Sequence, residues 1–523
     1  MRNTQTLLAI GEMMETTINH QTKRTQEQAR QQQRQGVLVK PFRRLSDAQV
    51  RLIDSVSREI LEDPGLLCYN QEAAKIFKQA GAKVEDVDGH ARIRVPGAVL
   101  DAALKTAPST VVLGARDPSN RLVLNAYEPR VRFGSGAETN IWLDVKFEDK
   151  VPVITRCEGT IKRLCDAAHL CDHLEHLDFF IRCVNIRDEQ VTEKNKDVNK
   201  LLASLNNITK HVQAGLTDLS ALDDTIRMAQ IISGGKDAFE KEPVLSFITC
   251  VVKSPLQMVD DTAAKLIAIS RRRVPVVVSS SPMGGATAPF DEFGMVAQIN
   301  AELLAGITLT QLVSPGTPVL YGAVPVRTRL DNLNDMYGAP EFSHYNMDCA
   351  QMARFYGLPC YSTACVGDIE TPGIQATAEK MLTVVSVPMA GAQYIHYAFG
   401  LLERTNTFCP EQAVMDDVHI GMVKHMLKPE PEAAICQQKR DDVLAMVREV
   451  MSTDHKTYMY HLPLPTRDPV YVRYPLEDEQ AGALYAAHRR YQEILKEPRN
   501  QLPKQVQKEI TSKIPGVLPQ TLK

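Results

Sequence analysis

Apolar residues recur along this chain at two periods, and the change of period divides it. From Ser46 to residue 81 the spacing is helical. Leu52, Ile53, Val56, Ile60 and Leu61 repeat on one face, Ser46 is placed to cap the first turn, and Asp63-Pro64-Gly65 interrupts the run. Residues 82–148 show short alternating stretches between turns, Ala91-Arg92-Ile93-Arg94-Val95 and Leu122-Val123-Leu124, which predict a small α/β region. From about residue 150 continuous apolar runs take over, at 177–184, 206–212, 244–252, 274–280, 318–324, 359–364 and 394–398, with helical stretches between them. A strand that is apolar on both faces is buried on both, as in a parallel sheet wrapped by helices. Seven such runs stand out. A closed barrel needs an eighth, which the pattern does not place, and a doubly wound open sheet is the alternative. The densest βα unit is 279–322. It runs from a strand through the small-residue loop Pro282-Met283-Gly284-Gly285-Ala286-Thr287-Ala288-Pro289 into a helix, stops at Pro315-Gly316 and re-enters a strand.

Composition narrows the class. The 523 residues are 44% hydrophobic and 24% charged, enough for a large core. The net charge of −3 marks the chain for neither nucleic acid nor a membrane surface, and basic clusters such as Lys40-Pro41-Phe42-Arg43-Arg44 read as solvated. Eleven scattered cysteines, an odd number with no Cys-x-x-Cys, fit a reducing cytoplasm. The short apolar core Leu7-Leu8-Ala9-Ile10, followed by Glu12 and Glu15, is not expected to act as a signal peptide, and no apolar run is long enough to span a membrane.

Parallel α/β proteins keep their chemistry where strands end and loops begin, so the residues just past each apolar run are the candidates. They are the turn Gly134-Ser135-Gly136-Ala137-Glu138 with Phe133 before it; the loop at 282–289, whose small residues let a ligand approach the backbone; and Arg327, placed past the strand of Tyr321 to grip a carboxylate. His344 opens the following helix, where it can hold an anion or a substrate. Tyr361 begins a further segment that ends near Pro372-Gly373-Ile374-Gln375. Asp417-Val418-His419-Ile420-Gly421 lacks the spacing of a base-off cobalamin motif, no thiolate cluster suits zinc, and there is no Walker loop.

Pro282-Met283-Gly284-Gly285-Ala286-Thr287-Ala288-Pro289, Asn300-Ala301-Glu302 and Ser314-Pro315-Gly316-Thr317-Pro318 together resemble the trimethylamine methyltransferase family. Ala115-Arg116-Asp117-Pro118 and Gln393-Tyr394-Ile395-His396 extend the likeness over about 45–430. The resemblance implies a TIM-type (β/α)8 barrel with an N-terminal helical and small α/β addition. The expected divisions are 1–44, a helical or partly ordered extension; 45–150, the α/β region; 151–480, the barrel; and 481–523, a charged helix and a proline-punctuated tail.

The resemblance also implies methyl transfer to the Co(I) corrinoid of a separate, cognate corrinoid protein, with no cofactor or metal held tightly by this chain. Methylamine-specific members carry pyrrolysine near the 361–375 segment, whereas here the residues are ordinary. A tertiary amine would leave as an amide-like anion unless activated. A quaternary ammonium leaves as a neutral amine, so glycine betaine or a similar betaine is the expected substrate. An aromatic cage of Phe133, Tyr321, Tyr361 and Tyr397 is expected to hold the ammonium, and Arg327 and His344 its carboxylate. Asn206 and His211 on one candidate strand, Glu138 and Glu302 are added as pocket residues, with Met283, Gly284, Gly285 and Thr287 as the loop that the corrinoid approaches. A homo-oligomer is expected. The rival functions are a non-catalytic quaternary-amine sensor and a metal-dependent barrel lyase or hydrolase.

Overall fold

The computed structural model describes residues 34–429, 437–452 and 482–522. The N-terminal extension up to residue 33, Cys436 and the expected start of the C-terminal helix near 477 lie outside these residues. The helix read from Ser46 spans Asp47–Glu62. A capping box closes its start: Ser46 Oγ accepts from the Gln49 N–H, and the Gln49 side chain accepts from the Ser46 N–H. The helix breaks at Asp63-Pro64-Gly65, where the sequence interrupts the run. Beyond the break lie a short strand, Leu66–Cys68, and a second helix, Gln71–Gln79, capped by Asn70. The alternating stretches do form strands. His90–Arg94 pairs with Lys83–Val87 and with Leu66–Cys68, and Leu122–Asn125 pairs with Thr110–Leu113, all antiparallel.

The body is a mixed α/β fold around a curled sheet. Eight strands alternate with eight helices: β1 (Arg130–Phe133), α1 (Ile161–His173), β2 (Phe179–Ile181), α2 (Glu193–Asn207), β3 (His211–Gly215), α3 (Leu222–Ser233), β4 (Leu245–Cys250), α4 (Asp260–Arg271), β5 (Val276–Ser280), α5 (Glu292–Val313), β6 (Val319–Ala323), α6 (Pro340–Phe355), β7 (Cys360–Thr363), α7 (Ile374–Met389), β8 (Tyr394–His396) and α8 (Pro410–Leu427). All eight strands are parallel, in the order β1-β8-β7-β6-β5-β4-β3-β2. The two ends of this order approach each other. Gly134, just past β1, bridges to Phe179 of β2, and the Asp178 N–H donates to the Phe133 carbonyl at 2.7 Å. On the same strand, Val37–Leu38 pairs antiparallel with Val131 and Arg130.

Two expectations change here. The unplaced strand is β1. Arg130-Val131-Arg132-Phe133 alternates charge with apolar bulk and so does not look like the continuous runs. It lies in the region assigned to the N-terminal addition, so the sheet begins before the boundary drawn at 150. The run at 206–212 is also not one strand. Asn206 and Asn207 end α2, and β3 starts at His211.

Strand alternation sorts the side chains. Val212, Ala214 and Phe247 pack outward with the helices, whereas Phe179, Ile181, Val277, Leu320, Tyr361 and Tyr394 cluster inside the curl. The hairpin of Thr110–Leu113 and Leu122–Asn125 joins this inner cluster through Val111, Leu113, Leu122 and Leu124. Its backbone meets residues that precede strands: Gly114 bonds Pro243, Asp117 bonds Thr209, and Gln393 bonds Asn125. The hairpin therefore stops the N-terminal end of the curl, and any ligand must enter from the other end.

Helix α5 is apolar on all sides. Among the described residues it is the one helix long and apolar enough to cross a membrane, and 89% of its apolar stretch is buried in the protein, as befits a core helix. Helices Asp47–Glu62 and Gly97–Thr106 pack against it. The C-terminal segment is more ordered than a tail. Gly482–Ile494 packs on α8, and Lys504–Lys513 forms a further helix beside α3.

Candidate functional site

Past the C-terminal ends of β1, β7 and β8 the backbone turns sharply through non-glycine residues. Ala137, Cys365 and Tyr397 hold φ of 56°, 65° and 66°. Each costs on the order of 1–2 kcal/mol, and such strain gathers where a side chain must be aimed. At Tyr397 the turn brings the ring onto His396, with centroids 3.6 Å apart. Gly136 makes room for it, since a Cβ there would lie 2.5 Å from the Tyr397 ring.

His396 continues an aromatic column through the interior. Phe179 stacks on Tyr394 at 3.5 Å, Tyr394 on Tyr361 at 5.7 Å, and Tyr361 meets His396 at 4.2 Å. Above it, Tyr337 approaches Tyr397 edge-on at 6.4 Å. Both imidazole nitrogens of His396 are used: Nδ1 with Tyr361 Oη and Nε2 with Thr363 Oγ1, each at 2.6 Å. Burial pushes the His396 pKa well below its ordinary value and the Tyr361 and Tyr397 phenols up, so this wall is neutral at pH 7.

The facing wall is polar. Gln213, on the inner face of β3, is buried beside the Tyr361 hydroxyl, yet neither its Oε1 nor its Nε2 makes a hydrogen bond of good geometry. Two residues on, Gly215 lies beside the head of Arg182, whose Nη2 would stand 3.6 Å from a Cβ at that position, an ordinary contact. Arg182 Nη2 donates to the Gly215 carbonyl at 2.8 Å and to Glu138 Oε2 at 3.1 Å, and Nη1 stands 3.9 Å from Asp197 Oδ1. Lys200 also meets Glu138, and burial lowers its pKa to about 7. Between the two walls lies Cys250, whose side chain keeps accessible surface although protein surrounds it. Such a side chain borders open space at the C-terminal end of β4. Its Sγ donates to Ser279 Oγ at 3.3 Å, and burial raises its pKa, so it is a thiol at neutral pH.

Of the residues expected at a pocket, the structure brings Tyr361 and Tyr397 together and sets Glu138 at the rim. It sends others elsewhere. The Phe133 ring faces Lys424 of α8, and Tyr321 Oη donates to Asn300 of α5, so both point away from the interior. Asn206 binds the C-terminal segment, accepting from the Leu502 N–H and donating to the Thr521 carbonyl. His211 faces inward at the stopped end, held by the Gly114 carbonyl at 2.7 Å and Ser246 Oγ at 2.8 Å. Glu302 lies behind β5, where Ser254, Ser280, Gln298 and the Leu256 N–H all donate to its carboxylate. Arg327 is held by the Phe290 carbonyl, Tyr345 Oη and the Phe290 ring at 3.4 Å. His344 pairs with Glu292 on the outer surface.

The loop of Met283, Gly284, Gly285 and Thr287 does stand at the open end, but it folds on itself. The Thr287 N–H donates to the Met283 carbonyl, Gly285 holds φ of 98°, and a Cβ at Gly284 would meet Tyr345 Oη at 2.9 Å. Its small residues therefore serve the turn. Gln213, Arg182, Cys250 and His396 were missed as pocket residues. The available signal was alternation along β3 and β8, which turns Gln213 and His396 inward.

The profile of the trimethylamine methyltransferase family matches residues 15–460. A trimethylamine methyltransferase of Desulfitobacterium hafniense is 31% identical over 380 residues, 72% of this chain and 74% of that one. A glycine betaine methyltransferase of the same species, strain Y51, is 28% identical over 394 residues, 75% of this chain and 79% of that one. The solved monomethylamine methyltransferase of Methanosarcina barkeri aligns over 87% of this chain and 95% of its own with 14% identity and a TM-score of 0.43.

Proposed function

The chain belongs to the trimethylamine methyltransferase family, and from that premise we propose that it transfers a methyl group from a quaternary amine, glycine betaine or a similar betaine, to the Co(I) corrinoid of a separate protein. The observation that carries this is the neutral aromatic wall of Tyr361, His396 and Tyr397 inside the curl of the sheet. A quaternary ammonium donates no hydrogen bond, and aromatic faces hold it at roughly 0.5–2 kcal/mol each. In a dry cavity the full charge of the substrate is stabilised less than in water, while the transition state spreads that charge. Co(I) supplies a strong nucleophile that accepts the methyl carbon. The C–N bond breaks, the nitrogen keeps the electron pair, and a neutral tertiary amine remains. This chain's part is to bind the cation, aim one methyl toward the open end and exclude water.

Two finer points of fold and assembly go with this function. We take the curled sheet to be a closed TIM-type (β/α)8 barrel, supported by the Gly134–Phe179 bridge between its end strands. The acceptor protein is proposed to dock at the open end, beside the loop of Met283 to Thr287, where Phe290, Leu330 and Leu333 are exposed. The test is anaerobic methylation of a Co(I) corrinoid, followed by methyl-Co(III) absorbance, with glycine betaine, proline betaine, carnitine, choline and trimethylamine. Methylation by a quaternary amine but not by trimethylamine is expected. Binding without methylation by any of them would overturn the proposal in favour of a sensor.

A further inference from the structure

The stopped end of the sheet carries a cleft of its own. It has a volume of about 610 Å3 and lies between α3, the short helix Lys236–Lys241 and the end of α4. That volume suits a small organic ligand. The floor is apolar: Pro243, Pro275 and Pro318, which come just before β4, β5 and β6, line it with Phe239. The rim is cationic, although the whole chain carries −3. Arg227, Lys236, Arg271, Arg272 and Arg273 share it with two carboxylates, Asp223 and Glu240. Both carboxylates are engaged. Asp223 accepts from Arg272 through both oxygens, at 2.6 and 2.8 Å, and Glu240 stands 3.7 Å from Lys236. Arg271 pairs with Glu72, outside the cleft. Arg227 and Arg273 have no carboxylate partner among the described residues.

Arg273 also stands where the backbone would favour another residue. It follows α4 with φ of 53°, at the position where helices most often place glycine. A glycine would ease the turn but remove the guanidinium from the rim. Across the cleft, residue 316 is a glycine, and a Cβ there would crowd Arg273 Nη2 at 3.1 Å.

We infer that this cleft is a second ligand site, for an organic di- or triphosphate of nucleotide size. Its phosphates lie on Arg227 and Arg273, and its ring lies on the prolines and Phe239. Guanidinium groups match phosphate oxygens in charge and in fork geometry. Five cations against two carboxylates leave an excess of three positive charges in the lining, which calls for a ligand with more than one negative charge. The cleft lies where β4, β5 and β6 start, so its ligand does not share the opening used by the amine. The inference therefore stands apart from methyl transfer.

The test is calorimetric binding to the full chain at low salt, with adenosine diphosphate, inorganic pyrophosphate and adenosine as probes. Adenosine diphosphate is expected to bind more tightly than either of the others, and to weaken as salt is added. Arg227→Gln should weaken it about tenfold, the low end for a hydrogen bond to a charged group. Arg273→Gly should weaken it as much without lowering the urea midpoint, which separates ligand binding from a structural role. Arg51→Gln removes an exposed arginine far along the chain on helix Asp47–Glu62 and should leave binding unchanged. Adenosine diphosphate that fails to bind, or binds no more tightly than adenosine or pyrophosphate, overturns the inference. So does a loss in Arg227→Gln or Arg273→Gly no larger than that in Arg51→Gln, which would mark unspecific attraction.

Discussion

At the scale of single residues, burial decides protonation, and protonation carries consequences for pH. His211 is fully enclosed, and burial lowers its pKa from 6.5 to about 4. The unfolded chain therefore takes up a proton below pH 6.5 that the folded chain refuses until about pH 4. The stability due to neutral His211 is fully present above 6.5 and is lost as pH falls through this window, by about 2 kcal/mol between 6.5 and 5. His211→Gln should flatten the pH dependence of urea unfolding by that amount. It should not abolish it, because His396 shifts in the same direction. Tyr361→Phe keeps the aromatic face but leaves His396 Nδ1 buried without its partner, so a loss of about 1–3 kcal/mol is expected in the same assay. Residue identity alone was a poor guide to the site. Arg327 and His344 have the right chemistry and follow strands, but Phe290 and Glu292, which engage them, are brought close only by the packing of loop and helix. Gln213 lies just past the expected run at 206–212, and only strand alternation reveals it as an inward-facing amide.

At the scale of elements, the legible features were those written in local sequence. The Ser46 cap and the continuous buried strands follow from residues near one another in the chain. β1 was not legible, because a four-residue strand bearing Arg130 and Arg132 looks like a surface segment until its neighbours are known. The role of the hairpin at 110–125 was hidden for the same reason. Its alternation was plain, but its apolar face is buried against strands far along the chain. Leu122→Ala and Leu124→Ala should each cost about 2–5 kcal/mol in urea titrations, since both side chains are fully buried and would leave voids. Amine binding should survive, because the hairpin lies at the opposite end from Tyr397.

For the whole molecule, the C-terminal segment is a brace rather than an appendage. Asn206, at the end of α2, ties down Leu502 and Thr521, and Arg499 meets Asp166 and the Cys165 carbonyl of α1. Asn206→Ala should therefore raise hydrogen exchange in residues 496–522 and lower stability by about 1–3 kcal/mol while leaving ligand binding intact. Nothing in the local sequence of 496–522 announces this, since the contacts join residues about 300 positions apart.

The hairpin that stops one end of the sheet also bears on the timing of the reaction. A cavity with a single doorway must admit its amine through the same opening at which the acceptor protein is proposed to arrive. The substrate then has to be seated before docking, and the spent amine has to wait for undocking. Such an enzyme obeys a compulsory order of addition. A large excess of acceptor protein should slow turnover by trapping empty cavities, and that inhibition should disappear as amine concentration rises.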